Sequence, residues 1–166
     1  MLKSSDSLIK NGLIQTTLCF LLKDEEILLA EKKHGFGIGK LNGIGGKQQP
    51  GETIAQAAIR EVEEEIKVQV QDLTKVALVD FFCKKYPETD ARVHIYTASL
   101  WQGQPQETEE MKPFWYPKNK IPYEQMWSDD YLWLPRVIAG ERIKATFWFE
   151  DFAKINDYQL TKVKEL

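Results

Sequence analysis

The stretch Gly46–Val68, GKQQPGETIAQAAIREVEEEIKV, places Gly46, Glu52, Arg60, Glu61, Glu64 and Glu65 at intervals suited to metal–phosphate chemistry. Thr53 and Gln56 form a capping-box pair, so a helix is expected to begin near Thr53. At about 100° per residue, Ala55, Ile59, Val62 and Ile66 fall on one apolar stripe, the expected buried face. Glu61, Glu64 and Glu65 are related as i, i+3 and i+4 and converge on a different face, while Glu63 points away from both. Like charges at that spacing destabilise a helix by roughly 0.2–0.5 kcal/mol per pair. A hard divalent cation reverses the sign. Carboxylate oxygens suit Mg²⁺ or Mn²⁺, and Mg²⁺ shares its shell with substrate phosphates. Three glutamates alone read as a solvated acidic helix face. The Gly-rich turn before the helix, Glu52 ahead of it and Arg60 four residues before Glu64 favour a metal–diphosphate site.

This order of residues resembles the Nudix box of the MutT/Nudix hydrolases: Gly, five residues, Glu, seven residues, Arg-Glu, an apolar residue, any residue, Glu-Glu, any residue, Gly, an apolar residue. Lys67 departs from it, standing where the family usually has glycine. The likeness runs from about Thr17 to Tyr158. KKHGFGIGKLNGIGGK (Lys32–Lys47), EEMKPFWY (Glu109–Tyr116), IPYEQMWSDDYLW (Ile121–Trp133) and FWFE (Phe147–Glu150) are similar to the animal-type MutT homologues that hydrolyse oxidised purine nucleoside triphosphates.

The resemblance implies a Nudix fold of the α/β (α+β) class, a mixed β-sheet sandwiched between helices. It implies a diphosphohydrolase that converts 8-oxo-dGTP to monophosphate and pyrophosphate, sanitising the nucleotide pool. By the same resemblance Glu61, Glu64 and Glu65 match the metal-binding glutamates, and Glu61 or Glu65 orients or deprotonates the attacking water. Gly46 reaches a metal through its carbonyl, Glu110 is a further carboxylate near the metals, and Arg60 positions the glutamates by ion pairing. Glu52 is structural. Base recognition falls to Asn42, Trp127, Asp129 and Asp130, with Thr17, Phe36 and Met111 lining the pocket. Apart from the resemblance, the charges of Lys32 and Lys33 suit steering or binding phosphates, or both are solvated lysines at a strand end.

The aspartate pair carries a physical argument of its own. Two carboxyls in one enclosed site do not both ionise easily, so one pKa rises. The protonated member donates to a purine carbonyl while its ionised neighbour accepts from a ring N–H. A mobile proton then admits oxidised adenine, such as 2-oxo-dATP, as well as oxidised guanine. The plainer reading is a helix start at Ser128-Asp129-Asp130, where acids favour the dipole. Lys67 is expected in a left-handed helix exit at a cost on the order of 1 kcal/mol, without loss of a metal ligand.

The elements that must position these residues follow from local patterns. Leu13–Leu22, Glu26–Lys32, Lys75–Lys84, Arg92–Trp101 and Ile143–Glu150 read as strands, and Pro113–Tyr123 as a short strand followed by a loop. Ser128–Ala139 reads as a helix in which Pro135 makes a kink or marks the first turn. Most of the ten glycines lie between Gly35 and Gly51 and match neither a dinucleotide fingerprint nor a phosphate-binding P-loop. With 166 residues, 1–12 forms a flexible lead-in and 13–166 a single domain.

A net charge of −3 argues against a nucleic-acid polymer as partner. Cys19 and Cys83 lie in apolar runs and are expected as buried thiols in a reducing compartment. No apolar run has transmembrane length and no signal peptide is evident, so a cytoplasmic monomer acting on a small nucleotide is expected, with no membrane partner. His34 is expected to be solvated, and His94 has no partner nearby in sequence. Trp101, Trp115, Trp133 and Trp148 are expected in packing roles. Two alternatives stand beside this reading: hydrolysis of another nucleoside diphosphate derivative, or a non-catalytic Nudix domain that senses a nucleotide.

Overall fold

The structure, a computed structural model, describes residues 12–166, so the expected lead-in lies outside it apart from Gly12. Ten strands and two helices of four residues or more alternate along those residues: β1 (Ile14–Lys23), β2 (Glu26–Lys32), β3 (Leu41–Asn42), α1 (Ile54–Ile66), β4 (Gln69–Val70), β5 (Thr74–Cys83), β6 (Ala91–Ala98), β7 (Trp101–Gln102), β8 (Met111–Pro117), α2 (Asp130–Ile138), β9 (Arg142–Phe149) and β10 (Ile155–Val163). The main sheet runs β10-β9-β5-β6-β1-β2-β3, with β8 also paired to β2. β1 with β6 and β5 with β9 are parallel, and the other pairs are antiparallel, so the sheet is mixed as expected.

Alternation along β1 divides the core. Cys19 and Leu21 face α1, packing with Ala58, Val62 and Ile66. Phe20 faces α2, packing with Trp133, Leu134 and Val137 and with Val79, Ile95 and Phe147 of neighbouring strands. The sheet is therefore covered by a helix on each side. β1 and β2 stay paired only at Leu22↔Ile27 and Lys23↔Glu26, then diverge. The opening between them is taken by the Gly-rich segment, which bridges to β1 at Thr16↔Lys47 and Cys19↔Ile44. That segment is the floor of the site described below.

Several boundaries depart from expectation. The buried stripe of α1 is Ala57, Ala58, Val62 and Ile66; Ala55 and Ile59 are only half-buried, because the helix turns its Ala58–Val62–Ile66 row onto the sheet. The run at 92–101 divides at a turn, and Trp101–Gln102 pairs with β4 rather than continuing β6. β8 begins at Met111, ahead of Pro113, because its residues zip onto β2 from Met111 to Pro117. Pro135 lies inside α2, neither ending it nor opening it. Its missing N–H deprives only the carbonyl of Tyr131, a residue 57% exposed, so water can serve that acceptor. β10, nine residues with almost no buried positions, carries no apolar alternation to announce it and is held by its ladder to β9. Cys19 and Cys83 are both buried and free, as expected.

Candidate active site

The capping box on α1 is formed: the Thr53 hydroxyl accepts from the Gln56 N–H while the Gln56 side chain accepts from the Thr53 N–H. The helix leaves through Lys67 at φ 62°, ψ 37°, the left-handed exit expected there. The loop before β8 serves its last carbonyls, with the Gln106 N–H donating to Ile66 and the Thr108 hydroxyl to Glu65. Both ends of α1 are thus fixed, which fixes the azimuth of its glutamates.

Arg60 organises the acidic face. Its Nε and Nη2 donate to the two Glu52 oxygens at 3.0 and 2.8 Å, a bidentate pair. Its Nη1 donates to Glu61 at 2.9 Å and Glu64 at 3.2 Å, and Nη2 also reaches the Lys47 carbonyl at 3.1 Å. Glu52 accepts in addition from the Gln49 N–H, so it ties the Gly-rich turn to the helix. The expected convergence of three glutamates is therefore partial. Glu64, 59% exposed at its side chain, leans to Arg60 on the outside, while Glu61 and Glu65 turn inward.

Gly45 and Gly46 permit this approach. A β-carbon on Gly45 would collide with the Thr17 carbonyl oxygen, and one on Gly46 would lie 2.5 Å from the Glu61 carboxylate. The Gly46 carbonyl accepts from the Thr17 N–H at 2.8 Å and, at longer range, from the Thr17 hydroxyl at 3.4 Å.

Glu65 is the most perturbed of the acidic set. Its Oε2 is buried and has no hydrogen-bond partner. Burial, then repulsion from Glu61 and Glu110, pushes its carboxyl up to about 8, against the pull of Lys32 and the Gly45 N–H. Burial likewise raises Glu61, partly offset by Arg60. Among the described residues no three His, Cys, Asp or Glu side chains are gathered into a cation cage, since Arg60 holds Glu61 and Glu64 to itself. The residues nonetheless fit a divalent ion. The orphaned buried oxygen of Glu65, the Glu61 carboxylate and the Gly46 carbonyl beside it are hard oxygen donors at one place.

From this acidic edge a cavity of about 560 Å³ runs toward the α2 side of the sheet. Its lining includes Thr17, Lys32, Phe36, Asn42, Gly46, Glu65, Met111, Trp127, Asp129 and Asp130. Arg60, Glu61, Glu64 and Glu110 lie outside that lining; Glu110 is exposed, close enough to Glu65 to repel it. Thr17 is buried, its hydroxyl between the Gly46 carbonyl and N–H at 3.4 and 3.5 Å. The Asn42 Oδ1 accepts from the Gly43 N–H at 2.9 Å.

Asp129 and Asp130 are 3% and 2% exposed, a burial foreign to a solvated helix start. Asp129 accepts from the Trp133 indole N–H at 2.8 Å, and Asp130 from the Trp127 N–H at 3.0 Å. Burial raises Asp129 to about 6. Burial and the neighbouring Asp129 raise Asp130 well above the carboxylate range. Elevation of the pair's affinity for protons is the behaviour expected of adjacent enclosed carboxyls.

Some members of this arrangement were not singled out in the sequence. Lys40 stands 5.0 Å over the Trp127 ring and pulls on Asp130. Trp133, expected only to pack, also orients Asp129 and lines the cavity. Phe81, Phe149 and Phe152 complete the apolar wall. For Lys40 the available signal was its place in the GIGKLNG run; the others required the strand register.

Lys33 is tied to Glu107 at 3.0 Å, which leaves Lys32 as the lysine of that pair on the cavity. His34 is exposed, as expected. His94 does find partners. Lys75 approaches Nδ1 and Gln15 approaches Nε2, each at 2.7 Å, and burial with Lys75 and Arg92 lowers it to about 4. It stays neutral and braces β1 beside Thr17, its register partner.

Comparison with known proteins accords with this geometry. Residues 13–137 match the NUDIX domain family. The chain is 42% identical over 151 residues to a zebrafish (Danio rerio) oxidized purine nucleoside triphosphate hydrolase, covering 90% of this chain and 96% of that protein. It is 40% identical over 147 residues to the mouse (Mus musculus) protein of the same name, covering 89% and 94%. The structure superposes on a MutT protein from Bacillus halodurans with TM-score 0.77 at 21% identity, over 89% of this chain and 97% of that one. With a family match across most of its length and relatives at this level of identity, the chain belongs to the Nudix family.

Proposed function

We propose that the protein hydrolyses oxidised purine nucleoside triphosphates, with 8-oxo-dGTP as the reference substrate, to the monophosphate and pyrophosphate. The observation that carries this reading is a single cavity with a buried aspartate pair and an indole at one end and the Nudix glutamate Glu65 at the other. The curated relatives bear the corresponding name.

At the base end Trp127 offers a ring face for a purine. Of Asp129 and Asp130, the protonated carboxyl donates to the C6 or C8 carbonyl region while the ionised one accepts from a ring N–H. Redistribution of their proton extends the same pocket to 2-oxo-dATP. Asn42 adds an amide, and Thr17, Phe36 and Met111 close the walls. At the phosphate end Lys32 neutralises phosphate charge. A divalent ion, Mg²⁺ or Mn²⁺, would be held by Glu61, Glu64, Glu65 and Glu110 with the Gly46 carbonyl. When bound, it would polarise phosphoryl oxygens and acidify water. Arg60 keeps the glutamates oriented, and Glu61 or Glu65 takes the proton of the attacking water. One chain supplies every one of these groups, so a monomer suffices.

The test is pyrophosphate release with Mg²⁺ from 8-oxo-dGTP and from dGTP at equal low concentration, with Glu65→Gln as control. Strong preference for the oxidised nucleotide, abolished by the variant, is expected. Unselective release, or release that survives in the variant, refutes the proposal.

A further inference from the structure

Phe152 lies between β9 and β10, beyond the FWFE run and in a position no motif marks. Its backbone is left-handed, φ 34°, a conformation that a residue with a β-carbon adopts only where its surroundings hold it there. Those surroundings are the mouth of the cavity. The Phe152 ring meets Phe36 edge-on at 4.8 Å, Trp127 edge-on at 5.9 Å, Phe149 at 6.1 Å, and is stacked with Tyr86 at 5.8 Å. Its carbonyl accepts from the hydroxyl of Ser128, the residue between Trp127 and Asp129, at 3.1 Å. Its neighbour Asp151 pairs with Lys85 at 3.1 Å. Two separate loops, the end of β9 and the base-recognition segment therefore meet on this one ring.

Phe36 depends on that meeting. It sits between Gly35 and Gly37, both left-handed, and is 58% exposed. Its ring contacts are Trp127, stacked at 5.1 Å, and Phe152. A ring carried on so permissive a backbone takes its orientation from its aromatic neighbours.

We infer that Phe152 is a base-positioning residue: its ring lines the mouth of the cavity and holds Phe36 and Trp127 in the orientation that receives the purine. The inference rests on the purine-triphosphatase reading above. It adds a specificity element contributed by the β9–β10 turn.

The test compares Phe152→Gly and Phe152→Tyr with the wild type in steady-state hydrolysis of 8-oxo-dGTP, alongside thermal melts. Glycine suits φ 34°, so it removes the ring without straining the turn, and the melting temperature is expected to stay within a few degrees. KM is expected to rise about fivefold, the size of an aromatic pair's contribution, with kcat within twofold. Tyrosine is expected to return KM to the wild-type value. An unchanged KM in the glycine variant overturns the inference, as does a tyrosine variant as impaired as the glycine one. Should wild type turn over 8-oxo-dGTP while KM ignores position 152, Phe152 alone is removed from the site. If wild type fails to turn it over, the functional reading falls and this inference with it.

Discussion

Asp129→Asn should make the protein more stable at neutral pH and a worse enzyme. Asp129 is 3% exposed, and burial lifts its carboxyl from 3.8 to about 6 in the folded chain. Between those values the unfolded chain has released a proton that the folded chain still holds. Stability therefore falls as pH rises through that window and stays low above it. With each tenfold change in proton affinity corresponding to ~1.4 kcal/mol, the buried charge costs on the order of a few kcal/mol, shared with Asp130. Asparagine keeps an oxygen to accept from the Trp133 indole at 2.8 Å and carries no charge to bury. Its extra amide hydrogens need acceptors, one of which is the Asp130 carboxyl, so a net gain of about 2 kcal/mol is the sounder expectation. For a domain of this size that is a rise in melting temperature of about 4–8 °C. Urea unfolding at pH 4.5, 6 and 8 measures it, with hydrolysis of 8-oxo-dGTP run in parallel. The wild type should lose stability between the first two pH values, the variant much less, and kcat/KM should drop at least tenfold. A variant that is less stable than wild type at pH 8 and keeps the wild-type pH slope would refute the argument that Asp129 is a strained buried acid.

Removing the indole donor by Trp133→Phe should lift Asp129 further, since the hydrogen bond favours its ionised form; the acidic limb of the kcat/KM profile should move to higher pH. Divalent-ion binding should expel a proton from Glu65, whose carboxyl stands near 8, so Mg²⁺ affinity should climb as pH approaches 8 and calorimetric enthalpies should differ between buffers of different ionisation heat. Equal enthalpies in all buffers would rule that linkage out. Lys67→Gly should stabilise the chain by about 1 kcal/mol, because φ 62° suits glycine, and should leave turnover unchanged; thermal melts and initial rates check both.

How much of this was legible in the sequence depends on the range of the physics involved. Helix α1, its cap at Thr53, its exit at Lys67 and the Arg60 ties to Glu52 and Glu64 all lie within a few turns of chain, where spacing decides geometry. The cavity is different. Thr17, Lys32, Asn42, Met111 and Trp127 come from separated segments, and only their likeness to a known family pointed to a common pocket. β10 was not legible at all, because a strand held by backbone hydrogen bonds to one neighbour leaves no apolar alternation behind. Trp133 and Phe152 show the same limit at the level of single residues. An indole one turn beyond Asp129 looks like core from its composition, and it is core, yet its N–H is also what turns the carboxyl into the pocket. Phe152 owes its place to the register of β10 on β9, which sets where their turn lies relative to Phe36 in the loop between β2 and β3. Local pattern thus located the acidic face, which a single helix carries. The cavity around the aspartate pair is distributed over strands and loops that meet only after the sheet has assembled, and under the proposed function substitutions there should alter which purine is accepted while leaving the glutamate helix intact.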